Sequence, residues 1–170
     1  MISKAFTPRF VESLRPRVKR ICEALVDEVE GAGEFDLLPA VAEPLPVAVI
    51  AEMLGVPEQD RSHLRPWSAD ICKMYELNPG PDAEQDAVRA SVEFSDYLRA
   101  LSRERRAAPG DDLISALTQA VSDGSRLTED ELIGTCVLLL NAGHEATVNV
   151  TVTLAPSRPT TMSLALRKTD

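Results

Sequence analysis

The stretch that most constrains this chain is "LTEDELIGTCVLLLNAGHEATVNVTVTL", residues 127 to 154. Thr128 and Glu131 stand three apart, the spacing at which a threonine hydroxyl and a glutamate carboxylate satisfy each other's free backbone N–H groups at a helix start. The apolar run behind them predicts a helix from about Thr128 to Leu154. One part of it points elsewhere: "TVNVTVT", residues 147 to 153, alternates β-branched and polar residues and in isolation reads as a strand. The cap outweighs a seven-residue alternation, because helix propagates easily once its first turn is paid for by a cap. Apolar on nearly all sides, such a helix asks to be buried on all sides. Any part left uncovered favours self-association.

The centre of this helix breaks its own pattern. "LLLNAGHEAT", residues 138 to 147, places Gly143 where alanine would be better by about 1 kcal/mol. It also places the charge of Glu145 where leucine is expected. A metal site, a catalytic acid or a flat ligand lying against the helix would each account for the exception.

The rest of the chain reads as helices separated by glycine and proline. Residues 8 to 30 carry apolar positions at spacings of three and four and stop at Gly31 and Gly33. Val41 to Leu54 is a buried helix stopped by Gly55, with Pro44 and Pro46 near its start. A third helix is predicted from Pro57 to about Glu76, followed by the loop "LNPGPD". From Pro81 to Arg106 a charged helix is predicted to turn Val88, Val92, Leu98 and Leu101 inward, and its closing "RERRAAPG" reads as a solvated, basic helix end. "GDDLISALTQAV" is a short helix with Asp111 or Asp112 as its cap. After Leu154, "APSRPTTMSLALRKTD" shifts to Pro, Ser, Thr and basic residues and reads as a tail.

Charge and cysteine usage narrow the function classes. With 27 acidic against 18 basic residues the net charge is −9, which repels a phosphate backbone and argues against nucleic acid. Cys22, Cys72 and Cys136 are odd in number and lie in apolar helical patterns, so they read as reduced, buried thiols. The start "MISKAFTPRF" lacks the apolar core of a signal peptide, and Leu132 to Leu140 is about half of what crosses a bilayer. The expected setting is the cytoplasm, without a membrane partner.

Four stretches then resemble the cytochrome P-450 superfamily of haem-thiolate monooxygenases, in its bacterial soluble branch: "KAFTPR" at 4 to 9, "EMLGVPEQDR" at 52 to 61, "DDLISAL" at 111 to 117 and "LTEDELIGTCVLLLNAGHEAT" at 127 to 147. The last is similar to the family's oxygen-activation motif, Ala/Gly-Gly-x-Asp/Glu-Thr-Thr, on its long distal helix. The resemblance implies a mainly α fold, namely the middle helices of the P-450 architecture, truncated on both sides. It implies haem as cofactor, dioxygen, a small hydrophobic substrate and a ferredoxin-type redox partner. Ala142 and Gly143 are then cofactor-binding, small enough for a porphyrin to lie against the helix. Leu139 is a pocket position. Glu145 is an acid on a proton path, and Thr147 can return its hydroxyl to the carbonyl of Gly143 four residues back.

The sequence also departs from the family. Ala146 occupies the position where the family usually has threonine. Glu-x-x-Arg and the Phe-x-x-Gly-x-x-x-Cys-x-Gly loop, whose cysteine is the axial iron ligand, are absent after residue 147. Cys136 stands seven residues before Gly143, about 10 Å along the same helix, too far to ligate iron centred there. Residues 1 to 154 are therefore expected to be a partial P-450 domain and 155 to 170 an unrelated tail, disordered or frame-shifted. The chain by itself is expected to be inactive and to bind haem weakly or not at all. The competing reading is a non-catalytic helical module that binds a hydrophobic ligand or partner. A zinc hydrolase is the weakest reading: His144-Glu145 begins like His-Glu-x-x-His, but Val148 fills the last position, so no metal ligands are assigned.

Overall fold

The computed structural model describes the backbone of residues 7–122, 128–154 and 161–163, and the side chains of 7–119 and 128–143. Among these, six α-helices dominate: α1 Pro8–Val29, α2 Pro44–Leu54, α3 Leu64–Cys72, α4 Ala83–Ala107, α5 Leu113–Ser122 and α6 Glu129–Leu154. The mainly α expectation holds. "TVNVTVT" is helical to its end, so propagation from the cap overrides the local β preference.

Local chemistry explains most helix ends. Thr7 caps α1 by accepting the Phe10 N–H at 3.1 Å, with Pro8 at the first helical position. Asp112, rather than Asp111, caps α5: its Oδ1 accepts the Ser115 N–H at 2.7 Å. The capping box of α6 forms as its spacing predicts, with Thr128 Oγ1 accepting the Glu131 N–H at 3.2 Å and Glu131 Oε2 accepting the Thr128 N–H at 2.7 Å. The expected helix from Pro57 is divided instead. Residues Glu58–His63 wind as a 3-10 segment, α3 follows, and Lys73–Tyr75 is again 3-10. Pro66 has no N–H to return to the preceding turn, which weakens an α-ladder where residues 58 to 63 would join it.

The core lies where α2, α3, α4, α5 and α6 meet. Leu54, Leu64, Phe94, Leu98, Leu113 and Leu140 are fully buried there. On α4 the inward row is Ala87, Ala90, Phe94, Leu98 and Leu101, whereas Val88 and Val92 are 58% and 55% exposed. The expected pair of valines was therefore placed on the wrong face. The small alanines let α3 come close, and α3 brings Trp67 onto Phe94 at a ring separation of 5.3 Å. Trp67 also stacks on His63 at 5.5 Å, meets Tyr97 at 5.6 Å and donates its indole N–H to Glu93 at 2.9 Å. Tyr97 O–H in turn donates to Asp60 at 3.0 Å.

Arg105 corrects a second expectation. It does not end α4 in solvent: its Nε donates to Asp112 Oδ2 at 2.9 Å and its Nη2 to the carbonyl of Gly55 at 2.6 Å. Gly55 ends α2 with φ +75°, and the Val56 N–H reaches back to the Ala51 carbonyl at 2.9 Å. A short antiparallel pair adds one further contact. Glu34–Asp36 pairs with Thr161–Ser163, which lie in the segment read as a tail, with Phe35 opposite Met162. Among the described residues, no helix is long and apolar enough to cross a membrane.

Two substitutions check this account. A Cβ on Gly55 would sit 2.5 Å from Asp112 Cγ, and the Asp112 carboxylate is held on both oxygens, so it cannot step aside. With the left-handed backbone added, Gly55→Ala is expected to cost about 2–4 kcal/mol. A urea midpoint unchanged from the parent would contradict this. Thr128→Ala removes one half of the capping box and should cost about 1 kcal/mol in the same measurement, with the urea slope unchanged.

Candidate functional site

The exceptional stretch on α6 acquires its meaning from which way each residue faces. One side of the helix is packed: Leu132, Ile133, Cys136 and Leu140 are buried against the core. The opposite side is open. Gly134, Leu138 and Ala142 follow one another at steps of four and are all exposed, Leu138 at 63%. The next position of that row is 146, with 145 beside it, by the helical period alone.

Gly143 does not stand on this open row. A Cβ there would lie 2.7 Å from Ile50 Cδ1 on α2. Its missing side chain is space taken by the Ile50 side chain, which the glycine lets seat directly against α6. Ala142 next to it is exposed, so the small residue that bounds the open side at this level is the alanine. Leu139 is partly buried and packs against the core cluster. Glu145, Ala146 and Thr147 lie on the helical backbone of α6, and their side chains lie outside the described residues.

Two residues on this helix were not singled out from sequence. Leu138 is a large apolar side chain left 63% exposed on α6. Asn141 is 6% exposed, and its Oδ1 is buried without a hydrogen-bond partner. The signal for both was present in the sequence, a row at spacing four through Ala142 and an amide inside an apolar run. What was missing was the side of α6 that the rest of the chain covers.

The cysteines do not converge on the open side. Cys136 is fully buried on the packed side, and burial, with a smaller contribution from the Asp112 charge, pushes its thiol up to about 12. Cys72 is buried on α3 and Cys22 half-buried on α1. Among the described residues no group of three or more His, Cys, Asp or Glu could hold a metal ion.

Comparison with known proteins supplies the family. No family model matches the chain. It is 45% identical over 150 residues to cytochrome P450 107B1 of Saccharopolyspora erythraea, an alignment that takes in 88% of this chain and 35% of that protein. It is 44% identical over 153 residues to the cytochrome P450 monooxygenase PikC of Streptomyces venezuelae, again over 88% of this chain and 35% of that one. Among solved structures, ligand-free cytochrome P450 TbtJ1 superposes with a TM-score of 0.78 at 43% identity, over 86% of this chain and 39% of the other. The chain thus spans little more than a third of the length of the curated relatives it matches. Its helices, their order and nearly nine-tenths of its sequence align with one group of proteins, and the chain belongs to the cytochrome P450 family.

Proposed function

We propose that this chain builds the distal wall of a haem-thiolate monooxygenase site, and that its 170 residues by themselves are not a working monooxygenase. The observation that carries the first half is the open row of Leu138 and Ala142 on a helix whose opposite side is packed into the core. An exposed strip of small and apolar side chains fits one face of a flat, apolar ligand. The haem supplies reductive activation of dioxygen when it is held by a thiolate.

The residues of this chain then take separable roles. Ala142, with the backbone of Gly143 beside it, bounds the space over the flat group. Leu138 and Leu139 bound an apolar pocket for a small hydrophobic substrate. Glu145 passes protons inward from solvent, a task that needs a carboxyl within one water of its acceptor. Thr147 keeps the motif's remaining hydroxyl, four residues after Gly143. Ala146 has no hydroxyl, so an ordered water or a hydroxyl of the substrate takes the place of the usual threonine.

The second half rests on ligation. The three cysteines of the chain do not fit the role of a haem-iron ligand: Cys136 faces the core as a protonated thiol, and a thiolate, not a thiol, binds metal. Cys22 and Cys72 lie on α1 and α3, outside the glycine-bearing loop that the family uses. In this reading residues 1 to 154 are the P450-like part, and the whole protein works in the cytoplasm with a ferredoxin-type electron donor. An uncovered row on α6 also favours self-association of the chain by itself.

Two measurements test the proposal. Purified chain mixed with haemin, reduced and exposed to carbon monoxide should show a Soret band like that of free haemin. A red-shifted band of the thiolate type, or substrate turnover with a ferredoxin, would overturn the claim of inactivity. With iodoacetamide at pH 8, Cys136 should stay unmodified in the native chain, since burial shields the thiol and keeps it protonated, and should react once urea unfolds it. Native-state labelling of Cys136 would restore it as a candidate ligand.

A further inference from the structure

We propose that Asn141 determines which apolar molecules this chain accepts, by giving a hydrogen-bond acceptor to a hydroxyl or amine on a ligand that lies along Leu138 and Ala142. The inference rests on the reading of the open row of α6 as a pocket wall. Asn141 is 6% exposed and its Oδ1 accepts no hydrogen bond. An amide oxygen buried without a donor is a poor choice for stability, because its desolvation is not returned, and leucine, with the same number of side-chain heavy atoms, carries no such oxygen. Positions that break the rules of good packing in this way are expected where function overrides stability.

The position of Asn141 says what function that is. It follows Leu138 by three residues and directly precedes Ala142, two of the three exposed members of the row. On a helical wheel it stands about 60° from Leu138, at the border between the open row and the side that faces the protein. The terminal torsion of an asparagine is broad, so the amide turns toward the row at little cost. The free atom is an acceptor and therefore calls for a donor. A hydroxyl, a primary or secondary amine or an amide N–H satisfies it, whereas an ether, a ketone or a hydrocarbon leaves it unpaired. A site that holds a polar group in wait discriminates strongly against analogues that lack its partner. The substrate class is thus an apolar skeleton carrying one hydrogen-bond donor.

The test uses the full 170-residue chain without added haemin, and two probes of nearly one shape, 1-naphthol and 1-methylnaphthalene. The parent chain should bind 1-naphthol about fivefold more tightly, the effect of one neutral hydrogen bond. Asn141→Leu should bring that ratio to one or below and raise the melting temperature by a few degrees, while Asn141→Ser, which keeps a smaller acceptor, should recover part of the ratio. A lower melting temperature for Asn141→Leu would mean that the amide already serves a structural partner, and would overturn the proposal. So would a naphthol preference that survives in Asn141→Leu. Equal binding of both probes by the parent chain overturns the role of Asn141 and leaves the pocket wall standing. Binding of neither probe by a chain that melts cooperatively removes the wall itself, and this inference with it.

Discussion

The fold turns on the guanidinium of Arg105. Three helix ends meet around it: the last turn of α4, the left-handed cap of α2 at Gly55 and the first turn of α5 at Asp112. The Asp112 side chain is only 7% exposed and that of Arg105 21%. Charges so far out of water gain little net stability from each other, since desolvation offsets most of the attraction. What they add is specificity. Any rearrangement that separates them strands a buried carboxylate, so α2 has one permitted end point relative to α4 and α5.

That end point matters because α2 decides how α6 is rotated. Ile50, five residues before Gly55, occupies the space that a side chain at Gly143 would fill. Leucine at position 143 would push the two helices apart, as overpacking does in close-packed interiors. With Gly143 turned to α2 and Leu132, Ile133, Cys136 and Leu140 turned to the core, the row through Gly134, Leu138 and Ala142 is left open among the described residues. The glycine therefore acts on the candidate site through the orientation of the helix. Alanine is the small residue that bounds the open side itself.

A second anchor holds the opposite flank. The Trp67 ring joins α3 to α4 through Phe94 and Tyr97, and both Trp67 and Tyr97 send their polar hydrogens to carboxylates, Glu93 and Asp60. Large rings with a satisfied polar edge combine apolar area with a fixed orientation. The helix α3 so held also packs on α6. Asn141 thus belongs to a helix braced from two sides, and its unpaired amide oxygen is not a symptom of loose packing.

The sequence by itself determined the helical class, the start of α6 and the family. These depend on neighbours a few residues apart: the reciprocal bonds of Thr128 and Glu131, the glycine after α2, the period of apolar residues and the motif around Ala142 and Gly143. It misplaced Val88 and Val92, because on α4 the alanines that admit α3 carry little hydrophobic signal, and only the bulk of Phe94 against Trp67 settles the face. It read Arg105 as a solvated end, because the carbonyl it binds is fifty residues away along the chain. The tertiary structure alone decided that Gly143 meets Ile50, that Leu138 is left uncovered and that the Asn141 Oδ1 is buried without a partner. A helical period defines faces, but which face is covered depends on contacts between segments far apart in sequence, and those form only when the whole chain packs.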